Sequence, residues 1–497
     1  MTTKMNNKQK IFKKLKENED FLKKSIGIGE SFDVGVRKLK ILNKEIQFYY
    51  CTGLCDTSII VEIMRELMEL DDHHRLTVKF EQVIHNHLPH QQVTKVETFD
   101  EVVDQVLSGL IAVCMEGEEI AYIIDVRKYP GRTPQEPDTE KVIRGSRDGF
   151  TENIIENTAL TRRRIRDGRL RNEIFQIGER SKTDVCITYI QDVANPNLVE
   201  IIKKKLKEIN IDGIPMADKT VEEFLVHQAG NPFPLVRYTE RPDVAASHLL
   251  EGHVLIIVDT SPSVIITPTT FFHHVQHAEE YREAPIPGAF LRWVRFGGML
   301  AALLLLPLWL LAVYEPGLLP KSIDFIGPND ETNVPIFIQI ILAEIGIETL
   351  RMAAIHTPTP LSTAMGLIAA VLIGQIAIDV GLFVPEVILY VSIAAIGSYA
   401  TPSYELSIAN KLVRLLLLFL VFFFRVPGYI IGVTAIILFL VALKPLNTPY
   451  LWPFIPFNAK AFIQVLIRVS VPLTKLRPSI TEPQNETKQP DKPLAES

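Results

Sequence analysis

Cysteine is scarce in this chain, with 4 among 497 residues. The four thiols are those of Cys51, Cys55, Cys114 and Cys186. Cys51 and Cys55 suggest half of a metal site, but the sequence has no second ligand pair at a spacing typical of zinc. We therefore expect these two residues to pack as small buried side chains rather than to bind a metal.

Catalytic signatures are missing as well. The sequence has no nucleophile elbow, no Walker loop and no GxGxxG turn, so it predicts a protein that is not an enzyme, with no catalytic residue and no cofactor. A net charge of −6 without a clustered basic face disfavours nucleic acid as a partner. The histidines have spacings that suit no common metal site and are expected in surface loops or near an interface: His73, His74, His85, His87, His90, His273, His274 and His277.

Long apolar runs are absent from residues 1–289 and frequent after them. Phe296–Tyr314 contains 19 residues without a charge, close to the roughly 20 that cross a bilayer as a helix. The N-terminal 30 residues are basic and have no apolar core, so we expect neither a secretory signal nor an anchor there. A cytosolic soluble half followed by a membrane half is the resulting prediction.

The soluble half is predicted to be α/β. The spacing of apolar residues predicts strands at Val34–Leu39, Ile46–Cys51, Leu110–Met115 and Ile120–Val126, and helices at Asp56–Leu70 and near Phe99–Leu107.

The same pattern returns about 140 residues later. YCTGLCDTSIIVEIMREL (Tyr50–Leu67) parallels YIQDVANPNLVEIIKKKL (Tyr189–Leu206), and VLSGLIAVCMEGEEIAYIIDV (Val106–Val126) parallels LLEGHVLIIVDTSPSVIITPT (Leu249–Thr269). The second alignment places Gly109 opposite Gly252. These matches favour two similar α/β subdomains over two unrelated modules.

A helix is predicted between the two subdomains. Thr151 is expected to cap it and Ile165 to end it. Three consecutive arginines, Arg162, Arg163 and Arg164, cannot share one helical face, so a solvated helix end is favoured over a site for phosphate or an acidic partner.

The membrane half has five hydrophobic segments. Arg292 and Arg295 precede the first and place its start on the cytosolic side. The second, Pro335–Ile355, carries Glu344, Glu348 and Arg351 at i, i+4 and i+7 on one helical face. Carboxylates in lipid are costly, so this stripe must face protein, water or headgroups. A helix that lines a pore and an amphipathic helix at the interface are both consistent with the pattern.

The third segment, Leu361–Phe383, contains Gln375 and Asp379, and the fourth, Val387–Ala400, is rich in small residues. The last stretch, Leu412–Leu443, is too long for one upright helix, so it is expected to be a kinked span or a re-entrant pair. Lys411 and Arg414 before it, and Lys444 and later basic residues after it, favour cytosolic ends and an even number of crossings.

The predicted fold class is thus an α/β cytosolic domain of two similar subdomains followed by an all-α polytopic membrane domain. The predicted boundaries are a basic segment 1–30, subdomain one 31–135, a connecting helix 136–170, subdomain two 171–289, a membrane domain 290–445, an amphipathic region 446–477 and a disordered tail 478–497.

Five motifs carry a resemblance to a known family. RGSRDGFTEN (Arg144–Asn153), LTRRRI (Leu160–Ile165), FLRWVRF (Phe290–Phe296), IGQIAIDVGL (Ile373–Leu382) and TPSYELSIANKLVRL (Thr401–Leu415) resemble signatures of the A subunits of GerA-type spore germination receptors. The resemblance implies a multi-pass protein of the bacterial spore inner membrane, with its N-terminal domain on the core side and a tandem α/β cytosolic domain. It also implies oligomeric, ion-conducting subunits that act in germination.

Two functions follow as hypotheses. The first is a channel subunit that releases monovalent cations or small solutes, with Glu344, Glu348, Arg351, Gln375 and Asp379 as candidates along the polar pathway. Its partners would be further copies in a ring, other germination membrane proteins and the lipid bilayer, with no nucleic acid. The second is a non-conducting scaffold that organises germination receptor proteins at the membrane.

Overall fold

The chain divides into two units in the computed structural model, which describes residues 9–41, 44–73, 93–128, 140–226, 228–320, 326–328, 333–356 and 359–489. The α/β unit takes in residues 1–227, 236–268 and 471–497. The helical unit takes in residues 228–235 and 269–470. After the last strand, the α/β unit therefore gives way to the helical unit between Pro268 and Thr269. The sequence predicts the start of the membrane domain later, at residue 290.

The α/β unit contains ten strands and seven helices among its described residues. In chain order these are α1 Leu15–Ile26, β1 Val34–Ile41, β2 Lys44–Cys51, α2 Thr57–His73, β3 Val93–Val96, α3 Phe99–Val106, β4 Ile111–Met115, β5 Ala121–Ile124, α4 Ile154–Arg164, β6 Leu170–Ile177, β7 Thr183–Ile190, α5 Pro196–Glu208, α6 Ala217–Val226, β8 Arg237–Thr239, α7 Pro242–Leu250, β9 Val254–Val258 and β10 Val264–Thr267.

The strands form two antiparallel sheets with the same topology. The first has the order β1-β2-β4-β5-β3 and the second β6-β7-β9-β10-β8, so each strand of one has its counterpart five numbers later in the other. This confirms the predicted α/β region. Strand β3 was not predicted, because it is a four-residue strand at the sheet edge with two exposed positions and little apolar signal.

Each face of the first sheet is covered by helices. Alternate residues of β2 point to opposite faces, so Ile46 and Phe48 pack with α2 while Tyr49 packs with α1 and α3. Helix α1 buries Leu15, Leu22 and other residues in this core. The predicted boundary at residue 30 is therefore wrong, since the basic segment supplies a core helix.

The four cysteines are free and buried, as their interpretation as small packing residues predicts. Burial raises the pKa of the Cys55 thiol to about 11 and that of Cys114 to about 12. These thiols therefore stay protonated near neutral pH. Among the residues that the structure describes, no group of three or more His, Cys, Asp or Glu side chains could hold a metal.

Helix α4 joins the two sheets and ends at Ile165 as predicted, but its N-terminal cap differs from the prediction. Asn153 caps it, because the Asn153 side chain accepts a hydrogen bond from the Ile155 amide, whereas Thr151 lies further upstream. The expected solvated arginine end is also wrong. Arg163 is exposed, but Arg162 is completely buried and Arg164 pairs with Asp148.

The buried Arg162 guanidinium binds groups from both subdomains. Its Nε lies 3.0 Å from Asp33 Oδ2, at the start of β1, and its terminal nitrogens donate to the carbonyls of Asp167 and Leu170. Asn172 on β6 also donates to Asp33, at 2.9 Å. A single carboxylate thus binds the first strand, the connecting helix and the second sheet together.

Replacing Arg162 with Met should destabilise the α/β unit by about 3–5 kcal/mol, because Asp33 would remain buried without its cationic partner. The matched change Arg163→Met, at an exposed site, should alter stability by less than about 0.5 kcal/mol. Pulse proteolysis of the purified chain in increasing urea measures both midpoints. Equal midpoints for the two variants would show that the pair is dispensable.

Two buried histidines introduce a pH dependence. His248 in α7 and His253 before β9 have ring centroids 5.0 Å apart and are at most 9% exposed. Burial lowers the pKa of His253 to about 4 and that of His248 well below its ordinary value. The unfolded chain therefore binds more protons than the folded chain between pH 6.5 and about 4.

Stability should consequently be complete above pH 6.5 and fall as the pH drops toward 4, by up to about 1.4 kcal/mol per pH unit for each histidine. The substitution His253→Leu should reduce this slope. Thermal unfolding followed by circular dichroism between pH 7.5 and 5 tests the expectation, and an unchanged slope in the variant would contradict it.

The C-terminal residues also depart from the prediction. Disorder was expected from Pro478 onward, yet residues 478–489 lie against the second subdomain, with the Thr481 hydroxyl donating to the Glu251 carbonyl at 2.7 Å. The remaining expectation, for residues 490–497, lies outside the described residues. In residues 478–489, order comes from polar side chains that bind backbone groups, whereas the prediction of order from sequence depends on apolar residues.

Among its described residues the helical unit has seven helices, continued in the same numbering. They are α8 Ala278–Arg282, α9 Pro285–Tyr314 with a π-helical turn at Ala301–Leu305, α10 Ile336–His356, α11 Thr359–Val371 with its continuation through Leu372–Ile376 and Ala377–Asp379, α12 Pro385–Tyr399, α13 Tyr404–Ala442 and, after these, the short α14 Ala459–Leu466.

Side-chain contacts give the directions of the long helices. Helices α9 and α12 are antiparallel, since a Cβ on Gly397 would meet the Gly298 backbone and Trp309 contacts Tyr390. Helices α10 and α13 are antiparallel too, since Phe337 stacks on Phe422 near one end. Small residues in α12 allow the close approach, as their abundance in this segment predicts.

Helix α13 reverses direction at Arg425. This residue has φ 54° and ψ −133°, outside the helical region, and Pro427 follows it. A Cβ on Gly432 would lie 2.7 Å from Leu417 Cδ2, whereas residues 417 and 432 would be about 22 Å apart in a continuous helix. Of the two predicted alternatives, the structure therefore has the pair of helices, at 404–424 and 426–442.

Two of the described helices are long and apolar enough to cross a bilayer. Pro285–Tyr314 has a mean hydropathy of 2.3, and Tyr404–Ala442, with its reversal, has 2.2. Gly366–Asp379 and Pro385–Tyr399 are apolar but shorter.

Candidate functional site

The polar stripe predicted on the second hydrophobic segment lies on α10. Glu344, Glu348 and Arg351 share one face of this helix, and that face packs against α12 and α13. Glu344 is 3% exposed, so its carboxylate is almost fully removed from solvent. The stripe therefore faces protein. This is one of the three surroundings, protein, water or headgroups, that the cost of placing a carboxylate in lipid allows.

Glu344 is bound by two cations from α13. Its Oε2 lies 2.8 Å from a terminal nitrogen of Arg414 and 3.5 Å from Lys411 Nζ. The other terminal nitrogen of Arg414 donates to the Ala302 carbonyl in the π-helical turn of α9. Arg414 thus joins α9, α10 and α13 through one planar group.

Glu348 lies one turn further along α10 and is less buried. Lys411 Nζ is 2.7 Å from its Oε2, and Arg351 donates to its Oε1. The Arg351 guanidinium also lies 4.9 Å from the centroid of the Tyr404 ring. Lys411 consequently bridges both carboxylates.

These five residues, Glu344, Glu348, Arg351, Lys411 and Arg414, are called the charge cluster below. They line a pocket of about 350 Å³, a volume that includes its part open to solvent. Three cations and two carboxylates leave the cluster with one net positive charge. A cation would therefore not be attracted to the pocket while the ion pairs are formed.

Some buried polar atoms around the cluster have no hydrogen-bond partner among the described residues. They are Glu344 Oε1, Arg414 Nε and Asn410 Nδ2.

The other two predicted pathway residues lie elsewhere. Gln375 and Asp379 are exposed at the end of α11 and do not line the pocket. The structure thus brings together Glu344, Glu348 and Arg351 but leaves Gln375 and Asp379 apart from them. The role of all five along a pathway stays a prediction.

Sequence reasoning missed the basic half of the cluster. Lys411 and Arg414 were interpreted as cytosolic flanking charges, yet Arg414 is 1% exposed. A usable signal was present: buried carboxylates need cationic partners, and Lys411 and Arg414 have the i, i+3 spacing that places both on one helical face.

The interpretation of Arg292 as a flanking charge is incomplete for the same reason. Its Nε lies 2.7 Å from Glu280 Oε2, and a terminal nitrogen donates to the carbonyls of Gln464 and Val465 at the end of α14. Arg295 pairs with Glu280 as well. The histidines before α9 act in caps, with His273 contacting Thr270 and His277 accepting from the Glu279 amide.

Comparison with known proteins identifies the family. The profile described as Bacillus/Clostridium GerA spore germination protein matches residues 20–480. This chain belongs to that family. The resemblance inferred from the five motifs is therefore confirmed, and the chain is a member of a spore germination protein family.

Similar proteins cover nearly the whole GerA-family chain. Stage V sporulation protein AF of Bacillus subtilis (strain 168) is 62% identical over 97% of this chain and 98% of its own length. Spore germination protein A1 of the same organism is 29% identical over 96% and 95%. The crystal structure of the N-terminal domain of the A subunit of the Bacillus megaterium spore germinant receptor GerK3 is 28% identical, with a TM-score of 0.42, over 54% of this chain and 99% of its own.

Replacing Arg414 with Met should destabilise the helical unit by about 3–5 kcal/mol, because Glu344 would lose its closest cation inside the helix bundle. Arg351→Met is the matched control. It removes a more exposed i, i+3 pair and should cost less than about 1 kcal/mol. Heating the detergent-purified chain and measuring the folded fraction by size-exclusion chromatography with tryptophan detection compares them. Similar losses for both variants would contradict the assigned burial.

Proposed function

We propose that this GerA-family chain is a membrane subunit in spore germination that assembles into a ring and conducts monovalent cations or small solutes. The conformation described would be its closed state. The observation that carries the proposal is the charge cluster, five ionisable side chains between apolar helices, of which Glu344 and Arg414 are almost fully buried. Intramembrane ionisable groups are expensive, and in membrane proteins they commonly belong to ion or substrate pathways.

A multi-pass arrangement in the spore inner membrane is part of this proposal. Family membership implies that membrane, and the antiparallel pairs α9 with α12 and α10 with α13 support helices that cross in alternating directions. With the reversal at Arg425, helices 285–314, 336–356, 359–379, 385–399, 404–424 and 426–442 would cross six times. An even number agrees with both ends of the membrane part lying on the core side.

Closure would result from the ion pairs themselves. While Lys411 bridges Glu344 and Glu348, neither carboxylate is free to bind a passing cation. Separation of α10 from α13 would release Glu344 from both of its cations, whereas Glu348 would keep Arg351 of its own helix as a partner. A ring of several copies would then place the released carboxylates around one axis.

Reversing one charge of the Glu348–Lys411 pair should open the pathway. In Glu348→Lys, like charges would meet in the cluster, and in Lys411→Glu three carboxylates would lie together, so each single change should raise potassium leakage several-fold. The double variant Glu348→Lys with Lys411→Glu restores an opposite pair and should return leakage toward the original level. Potassium loss from non-sporulating cells, normalised to immunoblotted protein, measures this.

The control is Lys444→Glu, which reverses an exposed charge outside the pocket at a residue that is no pathway candidate, and it should leave leakage unchanged. Leakage that responds equally to Lys444→Glu would mean that the effect is not specific to the cluster. If purified protein gives no selective current in liposomes and no variant leaks, the channel proposal fails.

A non-conducting scaffold is the second candidate. The observation that favours it is that Glu344 and Arg414 are paired and nearly inaccessible, as expected for a structural core. In that case the α/β unit would organise other germination proteins, an association that relatives named as spore germination proteins suggest. Absence of current, together with co-purification of germination proteins, would support this alternative.

A further inference from the structure

The C-terminal strap, residues 477–489, occupies a surface of the second α/β subdomain. Arg477 Nε lies 2.7 Å from the Leu250 carbonyl at the end of α7, and Thr481 Oγ1 lies 2.7 Å from the Glu251 carbonyl. The last carbonyls of a helix have no partner inside the helix, so the strap supplies the donors that they need. Lys488 adds an ion pair with Glu251 at 2.9 Å.

The strap makes a second set of contacts with the turn after β7. The Gln484 amide donates to the Val193 carbonyl at 3.0 Å, and the Gln484 side chain donates to the carbonyls of Gln191 and Ala194 at 2.8 and 2.7 Å. One residue of the strap therefore satisfies three backbone oxygens of a single turn.

The first subdomain has the same turn, but a local segment covers it. Leu54 aligns with Val193, and in both turns the amide of this residue donates three positions back, to Cys51 and Ile190 respectively. The Leu54 carbonyl accepts from the Lys128 amide at 2.9 Å, as the Val193 carbonyl accepts from Gln484. Residues 126–128, directly after β5, thus do for the first subdomain what the strap does for the second.

The helix caps beside these turns show the same correspondence. Asp56 and Asn195 occupy aligned positions before α2 and α5, and each side chain accepts from an amide two residues later. Asp56 Oδ2 also binds Lys128 Nζ at 2.8 Å, while Asn195 Nδ2 donates to Glu482 Oε2 at 3.0 Å. Two independent contacts of the local segment are therefore reproduced by residues more than 280 positions away in the chain.

The reason lies in where the chain goes after each sheet. Following β5 it stays in the α/β unit, whereas following β10 it enters the helical unit at Thr269, whose hydroxyl donates to the Leu235 carbonyl. The second subdomain consequently has no local segment for the turn after β7. The helical unit ends at Ser470, and the strap follows after six intervening residues.

We propose that the turn after β7 and the end of α7 form a peptide-docking surface whose ligand is the chain's own C-terminal strap. The strap completes the second subdomain, and it secures the segment that leaves the helical unit. Both covalent exits of residues 269–470 then lead to the same subdomain, one through Pro268 and one through the strap. A change in that subdomain would act on both ends of the helical unit.

Removing the side-chain donors of the strap tests this, independently of any channel activity. The full-length variant Thr481→Val with Gln484→Ala loses the donors to Glu251, Gln191 and Ala194. In lipid nanodiscs, hydrogen exchange measured by mass spectrometry should become roughly 10-fold faster in residues 477–489. Exchange should also accelerate at the amides of Val193, Ala194, Gly252 and His253, which belong to the two docking turns.

The matched control is Glu486→Ala, an exposed strap residue whose side chain makes none of the docking contacts described. Its exchange should equal that of the unsubstituted protein, and strand β9 should stay protected in every variant, which shows that the subdomain remains folded. The proposal is overturned if residues 477–489 of the unsubstituted protein exchange as fast as an unstructured peptide. It is also overturned if the double variant exchanges no faster than Glu486→Ala.

Discussion

The ion pair between Glu344 and Arg414 is the contact on which the helical unit depends. A carboxylate among apolar helices is tolerated only with a partner, and here one guanidinium supplies the partner and also binds the Ala302 carbonyl of a third helix. The π-helical turn of α9 contains Ala302, so the carbonyl that accepts from Arg414 lies where this helix departs from regular α-helical hydrogen bonding. Breaking this pair would leave the buried Glu344 carboxylate without its closest cation, while Lys411 and the stacking of Phe337 on Phe422 would still join α10 to α13.

Buried arginines also join separate segments elsewhere in the described part of the chain. Arg162, Arg241, Arg292 and Arg414 are the largest fully buried side chains, and each binds a carboxylate and at least one backbone carbonyl. The guanidinium is planar and always charged, with donors in several directions, so it can join segments that have no apolar contact to offer. Lysine cannot replace it at such junctions, because an ammonium group lacks the fixed fork. The result is a protein whose segments are joined by a few polar contacts set in apolar surroundings.

Sequence patterns predicted what is local and missed what is distant. The α/β repeat was visible because alternation of apolar residues and the glycine before each hairpin are properties of short windows. The partners of Arg162 and Arg414 lie 129 and 70 residues away, and no local pattern specifies such a pairing. At Arg425 the sequence does not distinguish a kinked span from a re-entrant pair, since Pro427 signals a break in the helix but does not give its angle. The sequence places Glu344, Glu348 and Arg351 on one face of α10. Their carboxylates' partners on α13, Lys411 and Arg414, can be identified only from the folded structure.

The internal repeat explains why the C-terminus is ordered although its composition suggests disorder. Two subdomains with the same strand order need the same cover over the turn that leads from the second strand of each sheet to the following helix. In the first subdomain, the Lys128 amide donates to the Leu54 carbonyl of this turn, because the chain continues past β5. In the second, the chain leaves for 202 residues of helical unit between Thr269 and Ser470, so only a segment that follows that unit can return to the turn. Composition reports whether a segment can build a core of its own, and the strap has none. It is ordered by backbone carbonyls that another part of the chain leaves open, so its order depends on the repeat as well as on its own donors, such as Thr481 and Gln484.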